Sequence, residues 1–354
     1  MKPFINSIHY FRGIAILLIV IGHSYGISNL EINSLWDKII LCLVKNGSVY
    51  FVFISGFLFH HVNFVVKNNF CYSKFLTKKA LFVLLPYILI SLVPVILRVY
   101  FLEDRSYVQD WILDYKPLTM LWYFLTGRIF VGYWYVPTGM ILYLLSPLFP
   151  YLLKRQIFLR VILFCLGVSL IVHRPSLNLN PLHSVIYFFP VFGLGFYASV
   201  HKRVIYKSLE DKRLLLALSV FSLGVFQSVF WELPGGMNRE LFAFEDYHFA
   251  LNALDINLIQ KLLACGLFMS LLNKYEKSEF NILDKIARIS FSIYFIHPVL
   301  MSFTRWFIDN KQLSYEGNYL LFFLVASLLL GISSLIAYGL KLVLGKNSRY
   351  LIGW

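Results

Sequence analysis

Apolar runs long enough to cross a bilayer recur along the whole chain, and short polar segments separate them. A helix needs about 20 apolar residues to cross the hydrocarbon core. The pattern predicts an all-α, polytopic membrane protein with about ten transmembrane helices. We place them at about 8–27, 47–66, 80–101, 133–153, 157–173, 182–200, 213–231, 256–272, 286–306 and 319–342.

A shorter apolar stretch at 118–131 is interrupted by Gly127 and Arg128. It is too brief to span, so we expect a re-entrant or interfacial segment on the outer side. No repeat or long polar linker divides the chain, which indicates one transmembrane domain over 1–354 without an appended soluble domain.

The net charge of +14 would by itself suggest a nucleic-acid partner. Lysine and arginine are, however, roughly twice as frequent in the loops on the N-terminal side of the predicted helices as on the other side. This positive-inside bias predicts that both termini are cytoplasmic. Lysine and arginine in cytoplasmic loops, next to membrane lipid, therefore explain the positive net charge. We expect no nucleic-acid partner.

The composition agrees with a membrane protein, because only 14% of the residues are charged and 59% are hydrophobic. A soluble chain has roughly twice that charge. The four cysteines are scattered without disulfide or metal-ligand spacing, and we expect no metal; they are Cys42, Cys71, Cys165 and Cys265.

The first predicted helix carries an arginine and a histidine, Arg12 and His23, inside an apolar run. Eleven residues are close to three helical turns, so both side chains share a face and lie roughly 16 Å apart along the axis. Alone, Arg12 fits an arginine that snorkels to the headgroups, and His23 fits a hydrogen-bonded interhelical histidine. Their shared face favours a polar seam that links a cytoplasmic anion to proton abstraction deeper in the membrane.

The segment FRGIAILLIVIGH (11–23) resembles the hallmark first helix of acyltransferase family 3. That hallmark is a basic residue, ten further residues and a histidine, with small residues such as Gly13 and Ala15 after the basic one. Members are integral-membrane acyltransferases that commonly O-acetylate bacterial surface sugars. Further similar segments follow in the family's order: VYFVFISGFLF (49–59), FLTKKALFVLLPY (75–87), YWYVPTGMILYLLSPLFP (133–150) and SFSIYFIHPVL (290–300).

The sequence departs from the family at 134–140, WYVPTGM, where many members carry a glutamate. A carboxylate role there is therefore not expected. Many members also carry an extra extracytoplasmic esterase-like domain, which we do not find.

The resemblance implies acetyl-CoA as the co-substrate and a surface glycan or lipid-linked saccharide as the acceptor. It implies a multi-pass protein of the plasma (inner) membrane. Arg12, Lys78 and Lys79 are the expected cofactor-binding residues, because cations bind the CoA phosphates. His23 is the expected general base on an acceptor hydroxyl, and both direct transfer and a transient acyl-histidine fit.

Several candidates have a structural alternative. His297 is a candidate catalytic residue near mid-depth, or a buried histidine bonded to a carbonyl that Pro298 frees. Ser55, Trp134 and Tyr135 are candidate substrate-binding residues. Ser55 with Gly56 also fits a small-residue helix contact, Trp134 and Tyr135 fit an aromatic belt, and Lys78 and Lys79 fit the positive-inside pattern.

The main rival function is a transporter or flippase of a lipid-linked sugar. Such proteins usually show paired repeats or several broken spans, which the sequence does not indicate. A scaffold for polysaccharide assembly gives no reason for the shared face of Arg12 and His23. The sequence leaves the acceptor, the acyl length and the oligomeric state open.

Overall fold

Helices make up nearly all of the described structure, which is a computed structural model covering residues 5–102, 108–230, 238–239, 254–277 and 280–354. The only strands within these ranges are two residues each, β1 (Arg174–Pro175) and β2 (Asn238–Arg239), paired in parallel. The predicted all-α class is confirmed. The segment 232–255, which contains five acidic residues and is predicted as an outer loop, lies largely outside the described residues.

Seventeen α-helices follow one another in the described part of the chain. They are α1 (Asn6–Ser28), α2 (Leu35–Val44), α3 (Ser48–His60), α4 (Tyr72–Lys79), α5 (Leu85–Tyr100), α6 (Asp110–Leu113), α7 (Lys116–Thr126), α8 (Tyr135–Leu144), α9 (Leu148–Lys154), α10 (Phe158–Val172), α11 (Pro181–Val200), α12 (Lys202–Glu210), α13 (Arg213–Phe230), α14 (Ile256–Asn273), α15 (Asn281–Asn310), α16 (Tyr319–Leu344) and α17 (Ser348–Ile352).

Eight helical spans among the described residues are long and apolar enough to cross a membrane, and three of them join consecutive elements: Leu35–Val66, Tyr72–Tyr100 and Tyr319–Ile352. The pair α8 and α9 makes a ninth candidate if its members count as one span bent by 42°. All ten predicted spans fall on helices, so the polytopic membrane architecture is confirmed. The predicted 133–153 span is broken near Pro147, however, and the helix at 157–173 has only 15 residues. The count of ten and the cytoplasmic termini therefore stay predictions.

Helix α2 lies between the first two predicted spans, in a segment that the sequence pattern predicts to be an outer loop. Its start is a capping box: the Asp37 amide donates to the Ser34 hydroxyl (3.2 Å), and the Ser34 amide donates to the Asp37 carboxylate (2.6 Å). Its end is held by the buried Lys261, whose Nζ donates to the carbonyls of Cys42 and Leu43, both at 2.8 Å. A cation at this position also suits the negative end of the helix dipole.

Helices α3 and α11 cross at two glycines. A Cβ atom on Gly56 would lie 1.9 Å from the carbonyl oxygen of Phe192, and one on Gly195 would lie 1.9 Å from that of Phe53. No side chain fits at such distances, so each glycine lets the opposite backbone approach. Gly56 thus makes the close helix contact that the sequence predicts.

Two stretches of π-helix extend the ordinary helices near one end of the bundle. His61–Val66 continues α3, and Ala80–Leu84 joins α4 to α5. Wide turns of this kind are rare and frequently occur at functional sites.

Candidate active site

The two polar side chains of α1 both contact α15. The Arg12 guanidinium donates to the Ala287 carbonyl, from Nε at 3.1 Å and from Nη2 at 2.6 Å. Eleven residues later on α1, the Nδ1 atom of His23 lies 3.0 Å from the Nε2 atom of His297, ten residues beyond Ala287 on α15. The two helices therefore run parallel, and Arg12 and His23 share one face that is turned towards the protein interior, as their spacing predicts.

The partners of His297 fix the protons of the histidine pair. The Nδ1 atom of His297 lies 2.7 Å from the carbonyl oxygen of Ile293, which can only accept, so this nitrogen carries the proton. In the neutral ring Nε2 of His297 then accepts, and Nδ1 of His23 donates to it. We assign Nε2 of His23 as the unprotonated nitrogen on this basis. The bond to His297 thus fixes the orientation and the tautomer of the His23 ring.

His297 is buried and bonded to a backbone carbonyl, as its structural alternative expects, but this carbonyl is not the one that Pro298 frees. Pro298 lacks the N–H that would bond the carbonyl of Tyr294, four residues earlier. His297 bonds the carbonyl of Ile293 instead. Its side chain is fully buried, and its ring lies 5.3 Å from that of His23, with 20° between the two planes.

His23 lines a cavity of about 190 Å³, which we call the His23 cavity. Two cations, several polar groups and four aromatic rings share its lining, among them Lys45, Asn46, Ser48, Phe51, Trp134, Tyr135, Arg174 and Tyr294.

Trp134 and Tyr135 belong to this lining and not to the lipid boundary. Their exposed fractions are 8% and 9%, and the guanidinium carbon of Arg174 lies 4.8 Å from the centre of the Trp134 ring. Phe188 stacks on Trp134 at 5.3 Å. The aromatic-belt interpretation of Trp134 and Tyr135 is therefore wrong.

Arg174 is a residue of the His23 cavity that the sequence did not single out. Its guanidinium donates to the side-chain oxygens of Asn46 and Asn178, and Asn46 donates in turn to Asn257 at 2.7 Å. Burial lowers the pKa of Arg174 from its ordinary value, whereas the charge of Asp255 acts in the opposite direction. The available signal was a lone arginine at the end of the predicted span 157–173, on the side that the positive-inside bias predicts to be poor in cations.

Arg12 lines a second and larger cavity of about 480 Å³, which we call the Arg12 cavity. Lys78 and Lys79 line it as well, so the structure brings the three predicted cofactor-binding residues together. Two further cations, Lys67 and Arg349, complete the set, and no carboxylate of the described residues belongs to the lining. The cavity is therefore suited to a polyanion.

One layer of aromatic side chains separates the two cavities. Phe51 and Tyr135 line both of them. Phe291 lines the Arg12 cavity and stacks at 5.8 Å on Tyr294, which lines the His23 cavity. We call these four residues the aromatic wall. The predicted seam is thus divided into two compartments and is not a continuous channel.

Ser55 lies on the Arg12 side of the aromatic wall. Its hydroxyl is 2.8 Å from the hydroxyl of Tyr135, and its side chain lines the Arg12 cavity. The structure therefore separates Ser55 from Trp134, although we grouped both as substrate-binding residues.

Metal-ligating side chains do not cluster in the described ranges. No group of three histidine, cysteine or acidic residues there is close enough to hold a metal ion.

A comparison with protein families identifies the family of the chain. The family model described as "Acyltransferase domain" matches residues 5–338, nearly the whole chain, including Arg12, His23 and His297. No curated protein and no solved structure matches the chain. The match agrees with the motifs along the sequence and shows that the chain belongs to acyltransferase family 3, as a multi-pass membrane acyltransferase.

Proposed function

We propose that the protein is a membrane O-acetyltransferase. It moves an acetyl group from cytosolic acetyl-CoA to a hydroxyl of an extracytoplasmic or lipid-linked surface glycan. The observation that carries this proposal is the hydrogen-bonded pair of His23 and His297 in one cavity, with a five-cation cavity directly across the aromatic wall.

The Arg12 cavity is the proposed donor site. CoA carries a diphosphate and a further phosphate on the ribose, and these groups suit cations that no carboxylate neutralises. Arginine binds phosphate through two parallel N–H donors, and lysine acts as a point charge. The narrow pantetheine arm then extends along Ser55 towards Phe51 and Tyr135, and it brings the thioester to the aromatic wall.

The His23 cavity is the proposed acceptor site. The free Nε2 of His23 takes the proton of the sugar hydroxyl while its oxygen attacks the thioester carbon. The carbon–sulfur bond breaks, and the CoA sulfur leaves and receives that proton. His297 accepts the Nδ1–H bond throughout and stabilises the charge that develops on His23. The same Nε2 atom can alternatively carry the acetyl group before the hydroxyl takes it.

Turnover of labelled acetyl-CoA by the purified protein in detergent tests the proposal. We expect release of free CoA by the natural protein and none by His23→Ala. His201→Ala is the matched control, because His201 lies at the end of α11 and lines neither cavity. A natural protein that consumes no thioester would favour the transporter, and full turnover in His23→Ala would remove His23 as the base.

The acceptor is identified by mass spectrometry of surface glycans. Cells that contain the protein should carry glycan species heavier by one acetyl group than cells that lack it. The same difference should vanish when the natural protein is replaced by His23→Ala. Unchanged glycan masses would contradict a surface-glycan acceptor.

A further inference from the structure

The C-terminal segment folds back onto the bundle. The Ser348 hydroxyl donates to the Gly345 carbonyl (2.8 Å) and to that of Trp354. The Trp354 ring packs edge-on against Tyr338 at 5.0 Å, and Lys341 lies over the same ring at 5.3 Å. These contacts fix the short helix α17 against α15, α16 and α5.

Gly353 joins this segment to the aromatic wall. Its φ is +74°, which favours glycine, and a Cβ atom there would lie 2.2 Å from the Phe291 ring. Phe291 stacks on Tyr294 in the wall. The backbone of the segment thus supports a side chain that separates the two cavities.

Arg349 extends from α17 into the Arg12 cavity. Its guanidinium carbon lies 4.6 Å from the centre of the Phe82 ring, in the π-helical stretch that follows α4. The same cavity receives Lys67 from the extension of α3 and Lys79 from α4. Arg349 therefore comes from an element that supplies none of the other cations, and it lies beyond the residues that the family model matches.

We propose that α17 is part of the donor site and that Arg349 binds a phosphate group of CoA. This inference rests on the proposed function, since CoA is the donor only there. Arg349 meets no carboxylate in the lining of the cavity, and its stacking on Phe82 holds the guanidinium plane while leaving its N–H groups for a ligand. The C-terminal segment thereby contributes to both donor affinity and the aromatic wall.

Binding of CoA to the full-length protein in detergent, by titration calorimetry, tests the inference with three variants. In Arg349→Gln we expect affinity to fall about three- to tenfold at low salt, as for one exposed charge-assisted contact. The loss should shrink as salt rises, because mobile ions screen such contacts. Arg349→Lys should recover part of the affinity, since it keeps the charge but loses the fork of donors.

Lys346→Gln is the matched control, because it removes one positive charge from the same segment without touching the cavity. Equal affinities of Arg349→Gln and Lys346→Gln would overturn the inference and leave the proposed function standing. A natural protein that binds no CoA would overturn the proposed function itself, and the role of Arg349 with it.

Discussion

The Nδ1 atom of His23 lies 3.0 Å from the Nε2 atom of His297, and this bond determines which nitrogen of His23 is free to take a proton. The carbonyl of Ile293 accepts a hydrogen bond from Nδ1 of His297, so Nε2 of His297 carries no proton and accepts one from Nδ1 of His23. Activity should therefore depend on His297, although His297 acts on the acceptor only through His23.

Replacement of the orienting histidine tests this relationship. In His297→Ala the Nδ1–H of His23 loses its partner, so kcat should fall about 100-fold, the size of a general-base contribution. His297→Gln should retain more activity, because its amide oxygen accepts a hydrogen bond. The KM for acetyl-CoA should stay unchanged in both, since His297 does not line the Arg12 cavity. Wild-type kcat in His297→Ala would contradict the assigned tautomers.

The aromatic wall should keep water from the thioester. Tyr135→Phe loses only the hydroxyl that meets Ser55 at 2.8 Å, and we expect nearly normal transfer. Tyr135→Ala removes a ring shared by both cavities, so water gains access and hydrolysis should rise relative to transfer. The ratio of released acetate to acetylated acceptor measures this effect. An unchanged ratio in Tyr135→Ala would show that the wall does not exclude water.

Arg174 should serve the acceptor side alone. It lies over Trp134 in the His23 cavity and is absent from the lining of the Arg12 cavity. Arg174→Gln should therefore lower acetyl transfer about tenfold or more, the effect of removing a charged contact, and leave CoA affinity unchanged. Arg174→Lys keeps the charge but not the two bonds to asparagines, so it should give an intermediate rate. Weakened CoA binding in Arg174→Gln would contradict the division into two sites.

The crossing of α3 and α11 should tolerate no side chain at Gly56. An added Cβ would meet the Phe192 carbonyl at 1.9 Å, so Gly56→Ala should destabilise the protein by at least the ~1–3 kcal/mol typical of overpacking. Gly331→Ala in α16 is the matched control, because nothing lies within 4 Å of its added atom. Thermal unfolding in detergent compares them. Equal midpoints for Gly56→Ala and Gly331→Ala would show that the helices can move apart without cost.

Lys261 should stabilise helix α2. Lys261→Met preserves much of the side-chain volume but leaves the carbonyls of Cys42 and Leu43 without its amine, which should cost about 1–3 kcal/mol in unfolding free energy. Because Lys45 and Asn46 follow these carbonyls and line the His23 cavity, acetyl transfer should fall as well. A Lys261→Met protein as stable as the natural one would mean that water satisfies both carbonyls.

The sequence predicted those features that depend on local spacing. The helical period places Arg12 and His23 on one face, and runs of apolar residues place the helices. The family resemblance led to Lys78 and Lys79, which the structure places in one cavity with Arg12. The shared face of Arg12 and His23 needed only the period of one helix, whereas Lys78 and Lys79 needed the resemblance as well.

The remaining features depend on packing between distant segments. The sequence does not show whether Trp134 faces lipid or a cavity, because the answer depends on Arg174 and Phe188 in other elements. To predict the pairing of His23 with His297, one must likewise know how far α1 and α15 are shifted along each other. Arg349 and Lys79 line the same cavity only because the C-terminal segment folds back onto the bundle, and the sequence does not show this fold.

The aromatic wall also affects the ion permeability of the membrane in which the protein lies. In the proposed reaction the Arg12 cavity opens to the cytosol and the His23 cavity to the outer aqueous phase, so a single layer of rings insulates the two phases there. An acyltransferase built in this way must admit an acyl group while it blocks protons and sodium ions. Thinning the layer at Phe51 would turn the transferase into a leak, visible as a conductance in a planar bilayer.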